Sequence, residues 1–218
     1  MRIVIAGGHG QIALRLERLL SASGHEVAGL IREPAQAEAL REAGAQPIVM
    51  DLESASIEDV TGALAGADAA VFAAGAGPGS GTERKDTVDR AAAQLFTEAA
   101  ERAGARRLIM VSSMGADANR QGDEVFDAYL RAKGAADDYV RAKLGLDWTV
   151  LRPGMLTDDA GTGLVRLGAS TGRGPIPRDD VAAVLAELLE TPATAGLTLE
   201  VVGGSIPVAV AVKDVAGN

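Results

Sequence analysis

The chain contains no cysteine, which excludes disulfides, thiolate catalysis and cysteine-ligated metals. Histidine is nearly as scarce: only His9 and His25 are present, too few for a histidine-built metal site. Aromatic residues make up 3% of the 218 positions, so the core must be assembled from Ala, Val, Leu and Ile. No apolar run reaches the ~18 residues that a membrane helix needs. The apolar opening of MRIVIAGGHG gives way to glycines where a secretory leader would continue. Positive charge is also short. A net charge of −9 supplies no basic footprint for a nucleic-acid backbone. The expectation is a soluble, cytoplasmic protein with no metal, nucleic-acid or membrane partner. The oligomeric state is left open.

What is present is an alternation. Short β-branched runs at 2–6, 26–31, 46–50, 68–73, 107–111 and 148–151 read as strands. Between them lie helical patterns at 11–23, from Pro34 to Gly44, after a capping Ser56, at 82–103 and at 123–144. Nearly all-apolar strands separated by helices imply a parallel sheet covered on both faces. Right-handed crossovers then predict a doubly wound α/β Rossmann sheet of order 3-2-1-4-5-6. After Arg152 the rhythm changes to a Gly-, Thr- and Pro-rich stretch with a weak strand at 164–167. A helix at 179–189, a seventh strand at 197–202 and a short apolar stretch at 208–212 follow, and the tail is expected to fray. The chain reads as a single domain, 1–218, in which 153–218 forms a small substrate-side lobe.

The first strand runs directly into Gly7-Gly8-His9-Gly10-Gln11-Ile12-Ala13. Gly7 permits a tight turn, Gly10 permits close approach of a pyrophosphate, and Ala13 keeps the helix near the sheet. The helix start offers free N–H groups to phosphates. A turn of this kind, after the first strand and opening a helix, is the context of a dinucleotide site. The end of the second strand, Gly29-Leu30-Ile31-Arg32-Glu33, lacks the acidic residue that holds an NAD ribose. Arg32 there suits a 2′-phosphate and points to NADP, while Glu33 keeps NAD open.

The turn, Asp51-Leu52, Ala73-Ala74-Gly75, Ser112-Ser113, Tyr129-x-x-x-Lys133 and Arg152-Pro153-Gly154 occur in order. Together with Pro177-Arg178-Asp179-Asp180-Val181-Ala182, this set resembles the short-chain dehydrogenase/reductase superfamily. The likeness is to its atypical, NmrA-like, NAD(P)H-binding branch, which includes epimerase/dehydratase-like proteins. The resemblance implies that Asp51 and Leu52 flank the adenine. It places Ala73, Ala74, Gly75 and Ser112 along the cofactor, with Pro153 near the nicotinamide. Gly7, Gly8, His9, Gly10, Gln11 and Ile12 would form the phosphate turn.

For chemistry, the resemblance implies a tyrosine that protonates a substrate carbonyl, a lysine that holds the nicotinamide ribose and lowers the tyrosine pKa, and a serine that orients the carbonyl. The candidates are Tyr129, Lys133 and Ser113. Asp89 stands nearest the place of a helix asparagine in the catalytic branches and is a candidate to hold a water or the lysine. Residues four apart share a helix face, so the Tyr129/Lys133 spacing is physically sensible. A second match, Tyr139-x-x-x-Lys143, lies on the same helix. Ten residues displace it by about 15 Å and turn it to another face, so it reads as helix surface. The leading expectation is an NADP-dependent oxidoreductase of a small carbonyl-type substrate. The alternative is a non-catalytic NAD(P)H redox sensor, and nucleotide-sugar epimerase/dehydratase chemistry comes third.

Overall fold

A computed structural model of the chain describes residues 1–77 and 79–217. Its order begins with β1 (Arg2–Ala6), α1 (Gln11–Ala22), β2 (Glu26–Ile31), α2 (Ala37–Glu42), β3 (Gln46–Val49), α3 (Ile57–Ala63) and β4 (Ala69–Phe72). Then come α4 (Thr82–Arg84), a π-helical segment (Lys85–Ala92), α5 (Ala93–Ala103), β5 (Arg107–Val111), α6 (Val125–Arg141) and β6 (Asp147–Pro153). The C-terminal part contains β7 (Met155–Thr157), β8 (Leu164–Gly168), β9 (Pro175–Pro177), α7 (Arg178–Glu190), β10 (Leu197–Gly203), β11 (Ile206–Pro207) and α8 (Val208–Ala216).

Among the described residues, nine strands form one sheet in the order β11-β8-β10-β6-β5-β4-β1-β2-β3. The expected 3-2-1-4-5-6 order is present, and the expected seventh strand lies parallel beside β6 as β10. Two further strands extend that edge, β8 antiparallel to β10 and β11 antiparallel to β8. The weak strand signal near Leu164 is thus an inner strand of the sheet edge. A separate two-stranded ribbon pairs β7 with β9.

Alternation along each strand feeds two cores. Ile3 and Ile5 of β1 face a cluster with Leu16 and Leu20 of α1 and Val181, Val184 and Leu185 of α7. Val4 and Ala6 face the opposite cluster with Val60, Phe96, Ala136 and Val140. Both β1 faces are fully buried, as a doubly covered parallel sheet requires. The 208–212 stretch does not fray. It starts α8, whose Ala211 and Val212 are buried in the first cluster.

Arg107 ties the C-terminal segment to the sheet. Its guanidinium is buried and donates to the carbonyls of Asp147 and Leu188 and to the hydroxyls of Thr149 and Thr194. Burial pulls its pKa down to about 10, although Asp147 partly supports the charge. The expected single helix over 82–103 is continuous, but its middle is wound as a π-helix. This wider winding is often found at functional sites, and here it carries Lys85 and Asp89 into the cleft described next.

Candidate functional site

The carboxyl ends of β1, β4, β5 and β6 open onto a cleft made of two joined cavities. The first, about 290 Å³, is bordered by the phosphate turn and by the ends of β2 and β3. The second, about 740 Å³, lies across β4, β5 and α6. Gly10, Ala73, Ala74, Gly75 and Ala76 line both. The position is the one open α/β sheets reserve for ligands.

The turn is built for close backbone approach. Gly7 has φ +78°, and a Cβ on it would lie 2.6 Å from the Ala74 Cα, so glycine is required there on both counts. Gly10 folds back, its N–H donating to the Gly7 carbonyl at 2.8 Å, and precedes the first residue of α1. No acidic side chain occupies the first turn of α1, so its free N–H groups and partial positive charge face the cleft unopposed. His9 is exposed and borders the first cavity, while Gln11 and Ile12 border the second. These features fit a dinucleotide: a backbone cradle too narrow for side chains, a bare helix start, and room on both sides.

Gly8 is a departure from expectation. It is buried, donates its N–H to the Leu30 carbonyl, and lines neither cavity. A Cβ on it would lie 2.9 Å from both Gly29 Cα and Glu17 Oε1. Its glycine serves packing behind the turn. Glu17 itself is fully buried with neither carboxylate oxygen hydrogen-bonded, and burial pushes its pKa up to about 8 against the pull of Arg18.

The first cavity is lined by the candidates Arg32, Asp51 and Leu52, and also by Glu53 and Arg84, which sequence reasoning missed. Asp51 Oδ1 accepts the Glu53 N–H, so part of its role is to shape the turn after β3. Glu53 lies between two arginines. It accepts from Arg84 at 2.7 Å and from the Thr87 hydroxyl, and Arg32 approaches it at 3.8 Å. Hydrogen bonds from Arg84 and Thr87 hold the Glu53 carboxyl below the usual carboxylate range. Arg84 comes from α4, far along the chain from Arg32, and no local spacing links them.

The second cavity gathers Ser112, Ser113, Tyr129, Lys133, Asp89 and Pro153. Lys133 is buried. Its Nζ lies 3.3 Å from Asp89 Oδ1 and donates to the carbonyls of Val111 and Ala74 at 3.1 and 3.4 Å. Burial opposes the Lys133 charge, but Tyr129, Asp89 and Asp137 outweigh it and its pKa is raised. Asp89 also accepts the Ala76 N–H. Asp89 therefore holds the lysine and the β4 loop together. One turn beyond Lys133, the fully buried Asp137 accepts from the Ser112 hydroxyl and from Arg152 Nε, and forms an ion pair with Arg152 Nη2 at 2.8 Å. Burial pushes the Asp137 carboxyl up even so. Its i+4 spacing from Lys133 was readable as a shared helix face, but its inward orientation was not.

Ser113 donates weakly to the Met114 carbonyl, and the Tyr129 hydroxyl makes no hydrogen bond to the described residues, so both face the cavity available. Tyr129 stacks on Phe126 at 5.9 Å, and Lys85 Nζ lies 5.3 Å from the Tyr129 ring centre. Phe126 and Lys85 are lining residues that the sequence did not single out, and Arg178, read there only as part of a helix start, lines the cavity too. Arg178 opens α7 and is held by Asp158, while Asp180 accepts the Thr162 and Gly163 N–H groups. This is the structural reason for the acidic helix start after Pro177.

The second Tyr/Lys pair is elsewhere. The Tyr139 hydroxyl donates to Glu98, and Lys143 pairs with Glu98 and Glu101, all against α5. Neither residue borders the cleft.

A Rossmann-type sheet with a glycine cradle at its first strand end and a helix start facing the cleft is the arrangement of the dinucleotide-binding class of proteins. The comparisons agree. Residues 7–192 match the family described as NAD(P)H-binding, and the chain belongs to that family. A Bacillus subtilis (strain 168) protein named as an uncharacterized sugar epimerase, YhfK, is 35% identical over 98% of this chain and 99% of its own. A Bacillus halodurans structure, provisionally named an NAD-dependent epimerase/dehydratase, superposes with TM-score 0.90 and 38% identity, covering 98% of this chain and 99% of that one. The Lactococcus lactis oxidoreductase ylbE has TM-score 0.88 and 25% identity over 100% and 98% of the two chains. These likenesses accord with the atypical, NmrA-like branch and with an oxidoreductase-like fold. No described helix is long and apolar enough to cross a membrane.

Proposed function

We propose that the chain is an NADP-dependent reductase of a small carbonyl compound. The observation that carries this reading is the convergence of Ser113, Tyr129 and Lys133 on the larger cavity, beside the glycine cradle. The phosphate turn and the α1 start would hold the pyrophosphate, and Asp51, Leu52, Ala74 and Gly75 would border the adenosine half. Arg32 and Arg84, both beside Glu53, would bind the cofactor's 2′-phosphate, which favours NADP over NAD. When bound, a reduced nicotinamide supplies a hydride for the carbonyl carbon. The Tyr129 hydroxyl then gives its proton to the carbonyl oxygen, and the product is the alcohol. Ser113 would orient that oxygen. Lys133, fixed by Asp89 and two carbonyls, keeps a positive charge beneath the tyrosine and supports its proton loss.

The test is NADPH consumption with a panel of aldehydes and ketones, in the wild type and in Tyr129→Phe. Turnover that is lost in the variant while cofactor affinity is kept supports the mechanism. Equal turnover in both proteins overturns it.

One observation favours a second reading. The Lys133 ammonium is already engaged inside the protein, as suits a non-catalytic NAD(P)H sensor. Cofactor binding with no turnover of any carbonyl in the panel would select that reading.

A further inference from the structure

Four charged side chains line the larger cavity: Lys85, Asp89, Lys133 and Arg178. Three of them are matched. Lys133 pairs with Asp89, and Arg178 pairs with Asp158. Lys85 is the remaining one, and among the described residues it has no carboxylate partner. It is 8% exposed, and among the described residues its ammonium makes one hydrogen bond, to the Gly77 carbonyl at 2.8 Å. Its other contact is the Tyr129 ring. An ammonium carries three donors, so two are left for the cavity. A buried cation satisfied by one carbonyl and one π face is costly unless something else completes it.

The surroundings say what would complete it. Lys85 borders the larger cavity and not the smaller one beside Arg32. The wall of the same cavity includes apolar side chains: Phe126 is 58% exposed and stacked on Tyr129, and Val125, Leu156 and Ile12 also line it. Such a wall receives a planar group, and the ammonium receives an anion at its edge.

We propose that Lys85 is an anion-recognition residue of the substrate site, and that the substrate is a planar carbonyl compound bearing a carboxylate. This rests on the reductase reading for the carbonyl, but not for the anion. Lys85 touches both the Tyr129 ring and the cavity, so it couples substrate charge to substrate placement at the tyrosine.

The experiment has two arms. In the first, 4-carboxybenzaldehyde and its methyl ester are compared as substrates with NADPH. The wild type is expected to favour the carboxylate in kcat/KM by about tenfold or more, which is the scale of one charge-assisted hydrogen bond. Lys85→Gln should bring the ratio near one, and Lys85→Arg should keep part of it. In the second arm, benzoate and benzamide are titrated by calorimetry into the NADPH-loaded protein. Benzoate should bind about tenfold more tightly in the wild type and lose that advantage in Lys85→Gln. The benzoate advantage in the wild type should also shrink with added salt, a reading that needs no variant to fold.

A benzoate advantage without turnover of either aldehyde keeps the anion site and rejects the reductase reading. Equal binding of benzoate and benzamide, or a preference that survives Lys85→Gln, overturns the anion site. So does a tenfold loss of NADPH affinity in that variant with the carboxylate preference intact, because Lys85 would then serve the cofactor.

Discussion

The same five-residue pattern occurs twice along α6 and its exit, the second ending at Lys143, two residues past the helix rather than within it as expected, and the two copies are used in opposite ways. At the N-terminal end, Tyr129 and Lys133 border the cleft, and the lysine is buried against Asp89 and two carbonyls. Toward the C-terminal end, Tyr139 and Lys143 lie against α5 and are satisfied by Glu98 and Glu101. Spacing is identical, so spacing does not distinguish them. What distinguishes them is which neighbour each turn of the helix meets: strand ends and a cavity in one case, an acidic helix face in the other.

The largest test of this contrast is kinetic. Tyr129→Phe should lower kcat by about 10³-fold, within the range for loss of a positioned proton donor, with NADPH affinity unchanged. Tyr139→Phe should change kcat less than about twofold. Comparable losses in both variants would break the comparison.

The next is thermodynamic. Lys133→Met leaves Asp89 buried without its cation and should cost about 3 kcal/mol in urea unfolding. Lys143→Met breaks a pair whose members are 17–33% exposed in their side chains, and should cost about 1 kcal/mol or less. A larger loss at Lys143 would reverse the ranking.

Glu17 sharpens the rule that a buried charge needs a partner, because it has none. Its folded pKa of about 8 lies above the usual 4.5, so the native state binds the proton more tightly than the unfolded chain. The corresponding stability is fully present below pH 4.5 and is lost as pH rises through about 8. By pH 7 the loss amounts to roughly 3 kcal/mol at 1.36 kcal/mol per unit. Glu17→Met should remove this slope and gain most at pH 8 to 9, as thermal melts across pH would read. A gain equal at pH 5 and pH 9 would contradict a buried titrating carboxyl.

The smallest effect belongs to the far end of the cleft. Arg32→Ala should weaken NADPH by about tenfold and NADH by much less, the scale of one charge-assisted contact. It should leave the Tyr129/Tyr139 contrast intact. Equal loss for both cofactors would remove the 2′-phosphate role.

The sheet order was legible because each strand carries its own alternation and each crossover has one favoured hand. The places of the antiparallel β8 and β11 were not, since Leu164–Gly168 is a short run interrupted by Arg166 that finds its place only through pairing with β10. The phosphate turn was readable except at Gly8, where the need for glycine comes from Gly29 and Glu17, neither of them in the turn. Asp89 was readable as a candidate by its place after β4. Lys85 was not, because nothing in Arg84-Lys85-Asp86 says which of two adjacent cations turns inward.

The sequence by itself made the glycine turn after β1 legible, because it is a short, contiguous run in which Gly7 answers to its own positive φ, although packing against Ala74, Gly29 and Glu17 adds to the demand for glycine. Tertiary structure alone decided which tyrosine faces the cleft, that Glu53 bridges two distant arginines, and that Lys85 has no carboxylate partner among the described residues. Those facts depend on side chains brought together from separate elements, and burial gives each of them its energetic weight.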